Sequence, residues 1–248
     1  MGIIGDNFRR GFDIEIPLTE SELKSREIAN GYFSNLTDKD KKPLEKMDLS
    51  LLKMLFKETF EYVTRTKLLV NKDNSVIYDI IARYFAKDES FNETKLSLNI
   101  ADLSKGLLII GDYGCGKTTM IETYQRIAYK LLPETLLWFN KTSCLTVVSE
   151  YETLDSKEQW QKEEFNNKYY NTKTYYFDDF GTEQDASNFG KKNLMKEIIE
   201  ERYARGKKTY LTTNLTLAQI KVKYGDRVFD RLQEMFNIFE MKGKSFRK

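Results

Sequence analysis

The chain has 248 residues, with 40 Lys and Arg against 38 Asp and Glu and no histidine. That length holds one large domain or two small ones with a real core, and the missing imidazole excludes Ser-His-Asp and Cys-His nucleophiles, His-ligated zinc and an imidazole proton shuttle. Two cysteines, Cys115 and Cys144, cannot build a four-cysteine zinc site or a disulfide framework, which leaves Lys, Arg, carboxylates, hydroxyls, backbone amides and a hard cation to carry any chemistry.

In chain order, the opening MGIIGDNFRR lacks the apolar run of a signal peptide, and no later segment is a continuous apolar stretch of membrane-spanning length. A cytoplasmic setting with no membrane partner is expected. The first 45 or so residues are polar and hold Gly31 and Pro43. Then Leu51, Leu52, Leu55, Phe56, Phe60 and Val63 recur at helical spacing, and Val76, Ile77, Ile80, Ile81, Tyr84 and Phe85 repeat it. Two amphipathic helices joined near Asn71–Asn74 are predicted. Residues 1–100 therefore form a mostly helical N-terminal region, either a packing unit or a partner-docking domain.

Residues 101–248 alternate strand and helix. Leu107–Ile110 reads as a strand, Lys117 to Leu132 as a helix stopped by Pro133, and Leu145–Val148 as a second strand with Ser149 capping a helix after it. Thr174–Phe177 is a third strand ending in Asp178 and Asp179. A helix runs from about Ser187 to Ala204, and Thr209–Thr212 is a fourth strand, followed by a helix from Leu217 that Thr216 caps. Strands separated by helical segments indicate an α/β fold with a parallel sheet flanked by helices, whose ligands sit beyond the carboxyl ends of the strands.

GDYGCGKTT, from Gly111 to Thr119, fits the P-loop pattern and lies after an apolar strand and before a helix. Its glycines, Gly111, Gly114 and Gly116, let the backbone amides of the loop, including those at Asp112, Tyr113 and Cys115, turn toward phosphate oxygens. Lys117 would neutralise the β- and γ-phosphates of ATP, the Thr118 hydroxyl would ligate Mg2+, and Thr119 continues the helix. Downstream, TYYFDDFGTE places acids at a strand tip, where Asp178 would hold Mg2+ and Asp179 would orient or deprotonate the attacking water. Asn214 closes the fourth strand, where its amide can contact the γ-phosphate or the water. Arg227 and Arg231 stand four apart on one helical face, a means of presenting a guanidinium to a neighbour's γ-phosphate, or of pairing with Asp230 and Glu234 on a solvated face.

The order GDYGCGKTT, YYFDDFGTE, ERYARGKKTYLTTNL and YGDRVFDRLQEM resembles the AAA+ ATPases of the DnaC/DnaI helicase-loader group and the related IstB transposition helpers. The resemblance covers roughly residues 100–248 and implies an AAA+ core without a C-terminal lid. It assigns the arginine finger to Arg231 and a flanking role to Arg227, and makes Arg247 a sensor 2 residue. It also implies homo-oligomers that share the ATP site between subunits, a DnaB-like replicative helicase as partner, and a grip on single-stranded DNA controlled by ATP. An IstB-like chain would keep the same site and assist a transposase instead. The charged and aromatic stretch Ser149–Lys173, with Tyr151, Trp160, Phe165, Tyr169 and Tyr170, is either a DNA-facing insertion or an amphipathic surface helix. A small-molecule P-loop kinase would need an acceptor pocket and a cis arginine lid, and it leaves Asn214 and Arg231 unexplained. Asp179, one methylene shorter than the more common Glu, also allows a nucleotide-gated module that barely hydrolyses ATP.

Overall fold

The structure, a computed structural model, describes residues 47–68, 70, 74–128, 138–155, 158–187 and 192–243 and the single positions 20, 23 and 27. Helix α1 (Leu49–Thr64) starts where the Asp48 side chain accepts the Leu51 amide at 2.7 Å. It buries Leu52, Leu55, Phe56 and Thr59, one face at the helical period. Helix α2 (Ser75–Ala86) buries seven residues, and Lys87 closes it in the left-handed region at φ 59°. A short 3-10 turn, Glu89–Glu93, leads toward β1 (Gly106–Ile110).

Next come α3 (Lys117–Arg126), β2 (Asn140–Ser143), α4 (Cys144–Glu152), α5 (Gln159–Asn166) with a π turn Asn167–Asn171, and β3 (Thr174–Asp178). Helix α6 (Leu194–Ala204), β4 (Lys208–Thr213), α7 (Leu217–Tyr224), α8 (Asp226–Met235) and β5 (Phe236–Glu240) complete the order. The five strands form one parallel sheet in the order β2-β3-β4-β1-β5.

Alternation along β1 divides the core in two. Leu107 and Ile109 point to a cluster built with α1, α2 and α3, whereas Leu108 and Ile110 point to one built with α4 to α8. Helices α1 and α2 thus share their core with the sheet. Phe56 lies 4.7 Å and Phe85 4.2 Å from the Tyr124 ring, centroid to centroid. The packing runs without a break across the boundary expected between residues 100 and 101.

Three elements differ from the sequence reading. Leu145–Val148, expected as a strand, lies inside α4. Ser143, not Ser149, caps that helix by accepting the Thr146 amide at 3.0 Å, and Cys144, Val147 and Val148 are its buried face. The strand there is the polar NKTS just before it. The helix expected from Ser187 begins at Leu194, capped by Asn193, because Ala186 and Lys192 first close an antiparallel bridge. Strand β5 was not anticipated. Helix α3 is described to Arg126, and residues 129–137 and Arg247 lie outside the described residues.

Candidate active site

The carboxyl ends of β1, β4 and β3, three adjacent strands, carry the predicted site. The loop from Gly111 to Gly116 leaves β1 and turns into α3, with Gly114 at φ 77° and Gly116 at φ 98°, angles that L side chains resist. Gly111 is required for a different reason: a Cβ there would meet the Met241 carbonyl oxygen at 2.3 Å. Met241 follows β5 and donates its amide to the Ile110 carbonyl at 2.7 Å, so β5 braces the root of the loop.

Lys117 is 5% exposed. Its Nζ donates to Gly111 O at 2.8 Å, Asp112 O at 2.9 Å and Asn214 Oδ1 at 2.8 Å, and it lies 3.7 Å from Cys115 Sγ. Among the described residues no carboxylate pairs with it. A buried cation satisfied only by neutral acceptors fits a site whose ligand is a polyanion. Cys115 is buried and free, a filler beneath the loop, whereas Tyr113 is 68% exposed at its crest.

Asp178 ends β3 with three hydroxyls on one oxygen. Thr118 Oγ1 donates to Asp178 Oδ1 at 2.9 Å, Tyr176 OH donates at 2.6 Å, and Thr212 Oγ1 donates as well. Hydroxyl and carboxylate meeting here are the hard oxygen donors that Mg2+ takes, so the donor set fits that cation. Burial, followed by the nearby Asp178 charge, pushes the Tyr176 phenol well above its ordinary range, so it remains a donor. Tyr176 and Thr212 were not anticipated. Tyr176 sits two residues before Asp178, hence on the same face of the strand, but Thr212 reaches it only through the β3–β4 register, Phe177 opposite Leu211.

Asp179 adopts φ 55°, in the left-handed region, and its amide donates to Thr212 Oγ1 at 3.3 Å. Asn214 joins the two halves of the site: Oδ1 accepts from Lys117, while Nδ2 donates to Asp179 Oδ1 at 3.4 Å. Behind them, buried Glu183 accepts the Gly181 amide at 2.8 Å and the Tyr224 hydroxyl, fixing the loop after β3. Lys117, Thr118, Asp178, Asp179 and Asn214 therefore lie together at the carboxyl end of the sheet.

The arginines are elsewhere. Arg231 on α8 meets Glu200 of α6 at 3.0 Å and lies 5.1 Å over the Tyr203 ring, whereas Arg227 reaches the same carboxylate at 3.4 Å. Arg231 is 17% exposed and Arg227 73%. Neither touches the five residues of the site, and the partner is Glu200, where the alternative to a trans arginine was a pair with Asp230 or Glu234. In the stretch from Ser149 to Lys173, Phe165, Tyr169 and Tyr170 belong to the core, and Trp160 is the large aromatic left exposed.

Fold and loop together define an α/β protein whose glycine-rich P-loop joins β1 to α3. No family model matches the sequence, and no curated protein matches it. Solved structures do. The DnaC helicase loader matches at TM-score 0.52 and 21% identity, over 71% of this chain and 93% of that one. A candidate primosome component from Streptococcus pyogenes serotype M3 matches at 0.51 and 17%, over 77% and 91%. DnaI matches at 0.50 and 16%, over 71% and 88%. The fold of this chain is that of the DnaC/DnaI-type AAA+ proteins.

Proposed function

We propose that this chain is a Mg2+-dependent ATPase of DNA replication that assembles on, and loads, a replicative DNA helicase. The observation that carries the reading is the convergence of Lys117, Thr118, Asp178, Asp179 and Asn214 at one edge of the sheet. The likeness in fold to helicase-loader structures supports the replication setting. Two buried, unpaired cysteines suit a reducing cytoplasm, and among the described residues no helix is long and apolar enough to cross a membrane.

Phosphoryl transfer to water needs positioning and charge stabilisation more than covalent chemistry. The loop amides hold the phosphates, and Lys117 exchanges its carbonyl partners for phosphate oxygens. Thr118 and Asp178 would hold Mg2+, which when bound neutralises β- and γ-phosphate charge. Asp179 accepts the hydrogen bond of the attacking water and takes up its proton. Asn214, bonded to both Lys117 and Asp179, registers whether a γ-phosphate is present and passes that state into β4 and α7. Arg231 and Arg227 serve the site of a neighbouring copy, where a guanidinium stabilises charge developing on the γ-phosphate. Since α1 and α2 are committed to the core, the helicase-docking role falls to residues 1–46.

The test is complex formation, followed by size-exclusion chromatography, between the host's replicative helicase and the full chain or a chain lacking residues 1–46. The full chain should bind with ATP and deposit active helicase on circular single-stranded DNA, and the shortened chain should not bind. If neither binds, the loader reading fails. Capture by a transposase encoded beside this chain would replace it with the IstB-like one.

A further inference from the structure

Three adjacent strands enter the sheet from lysines. Lys105 precedes β1, Lys173 precedes β3, and Lys207 and Lys208 lead into β4. Because β3, β4 and β1 are parallel neighbours, these lysines are ranked along the edge opposite the phosphate loop, at a strand spacing of about 4.8 Å. Thr174 pairs directly with Lys208. Lys87, at the end of α2, adds a fifth cation.

The charges of three of them, Lys87, Lys105 and Lys208, are met by carbonyls. Lys87 Nζ and Lys208 Nζ both donate to Leu103 O, at 3.3 Å and 3.0 Å, and both lie over the Tyr84 ring, at 4.9 Å and 5.7 Å. The two amines therefore converge on one carbonyl oxygen. Lys105 Nζ donates to Ile100 O and Gln233 O, each at 3.3 Å. Among the described residues no Asp or Glu forms an ion pair with any of the five. Asp102 faces Lys208, but its carboxylate accepts the Ser104 amide at 2.7 Å. Two ammonium groups crowded on one neutral oxygen gain from an anion that bridges them, and a row of further lysines suits an anion that is itself a chain.

We propose that this amino-terminal edge of the sheet binds a phosphate-bearing polyanion, one phosphate bridging Lys87 and Lys208 and its neighbours following Lys173, Lys207 and Lys105. The surface lies away from the P-loop, so it can be filled while a nucleotide is bound, and it does not depend on the ATPase reading. Burial and the adjacent Lys87 charge lower Lys208 to about 7. The groups facing it are Lys87 and Tyr84 from α2, Asp102 from the segment before β1, and Lys173 before β3, while Arg202 from α6 and Glu234 from α8 line the same cleft. An anion favours the charged form, so binding weakens as pH rises through about 7.

The test measures binding of a fluorescent oligothymidylate without terminal phosphates, and of inorganic polyphosphate, across a salt series. Lys173→Glu and Lys207→Glu change the outer lysines, and Lys208→Gln changes the bridge. Each lysine that contacts a single strand contributes about 0.7 to the slope of log affinity against log salt, so each variant should lower the slope by about that much. Affinity at low salt should fall about tenfold when Lys173 and Lys207 are changed together. Loss of both on the oligothymidylate identifies a nucleic-acid backbone, whereas loss on polyphosphate alone identifies a different polyphosphate. Unchanged slope and affinity for both probes in the variants of Lys173, which is exposed, and Lys207, which is half-buried, would overturn the proposal.

Discussion

Asn214 is the residue through which the site becomes one unit, because it accepts from Lys117 and donates to Asp179. Asn214→Ala removes both bonds and leaves the P-loop backbone in place. Steady-state ATPase should fall about a hundredfold, as for other single oriented donors, while nucleotide affinity in equilibrium titration moves less than about threefold. An equal loss of affinity would make Asn214 a binding residue only. Arg202 is among the largest fully buried side chains of the described residues, donating to Tyr169 O at 2.8 Å, Thr172 O at 3.1 Å, Lys208 O at 2.7 Å and Thr209 Oγ1 at 2.8 Å. Arg202→Met strands those acceptors, and urea denaturation should show a loss of about 3 kcal/mol or more. Lys208 binds fewer protons folded than unfolded between about 7 and its ordinary 10.5, so stability should rise with pH over that window. Thermal melts of Lys208→Met should show a flatter pH profile. At this scale the site was largely legible, because glycines, a lysine and strand-tip acids have few other uses at that spacing. Tyr176 and Thr212 were hidden because a hydroxyl in a strand acquires its partner only from the register.

The helices before β1 are part of the sheet's packing. Phe85 stacks on Tyr124 at 4.2 Å and lies 6.1 Å from Phe139, joining α2 to α3 and the residues before β2. Phe85→Ala should cost about 3–5 kcal/mol in urea denaturation, the loss expected for a core aromatic. A loss under about 1 kcal/mol would mean that α2 is an independent unit. Periodicity made α1 and α2 visible, but it says which face is buried and not against what. Strand β2 was missed because its sequence, NKTS, is polar, whereas the apolar LTVV beside it imitates a strand and satisfies a helix of period 3.6 equally well. Strand β5, FNIFE, was obscured by the arginine-bearing helix that runs directly into it.

Across the whole molecule, the two ends of the sheet carry different sets of groups. One gathers Lys117, Asp178, Asp179 and Asn214, and the other presents Lys87, Lys105, Lys173, Lys207 and Lys208. Arg227 and Arg231 are absent from the first, held on Glu200 instead. Among the described residues neither of these arginines lies at the P-loop, and under the proposed function a second copy supplies the guanidinium. The near balance of 40 basic against 38 acidic residues hides an uneven placement, with acids beside Lys117 at one end of the sheet and a row of lysines at the other. The most direct measurement mixes two inactive variants, Lys117→Ala, which retains Arg231, and Arg231→Ala, which retains the P-loop. Each alone should hydrolyse ATP at background. An equal mixture should recover about a quarter of the wild-type rate, since that fraction of subunit contacts pairs an intact loop with an intact arginine. Full activity in Arg231→Ala alone, or a mixture that stays at background, would contradict a site shared between subunits.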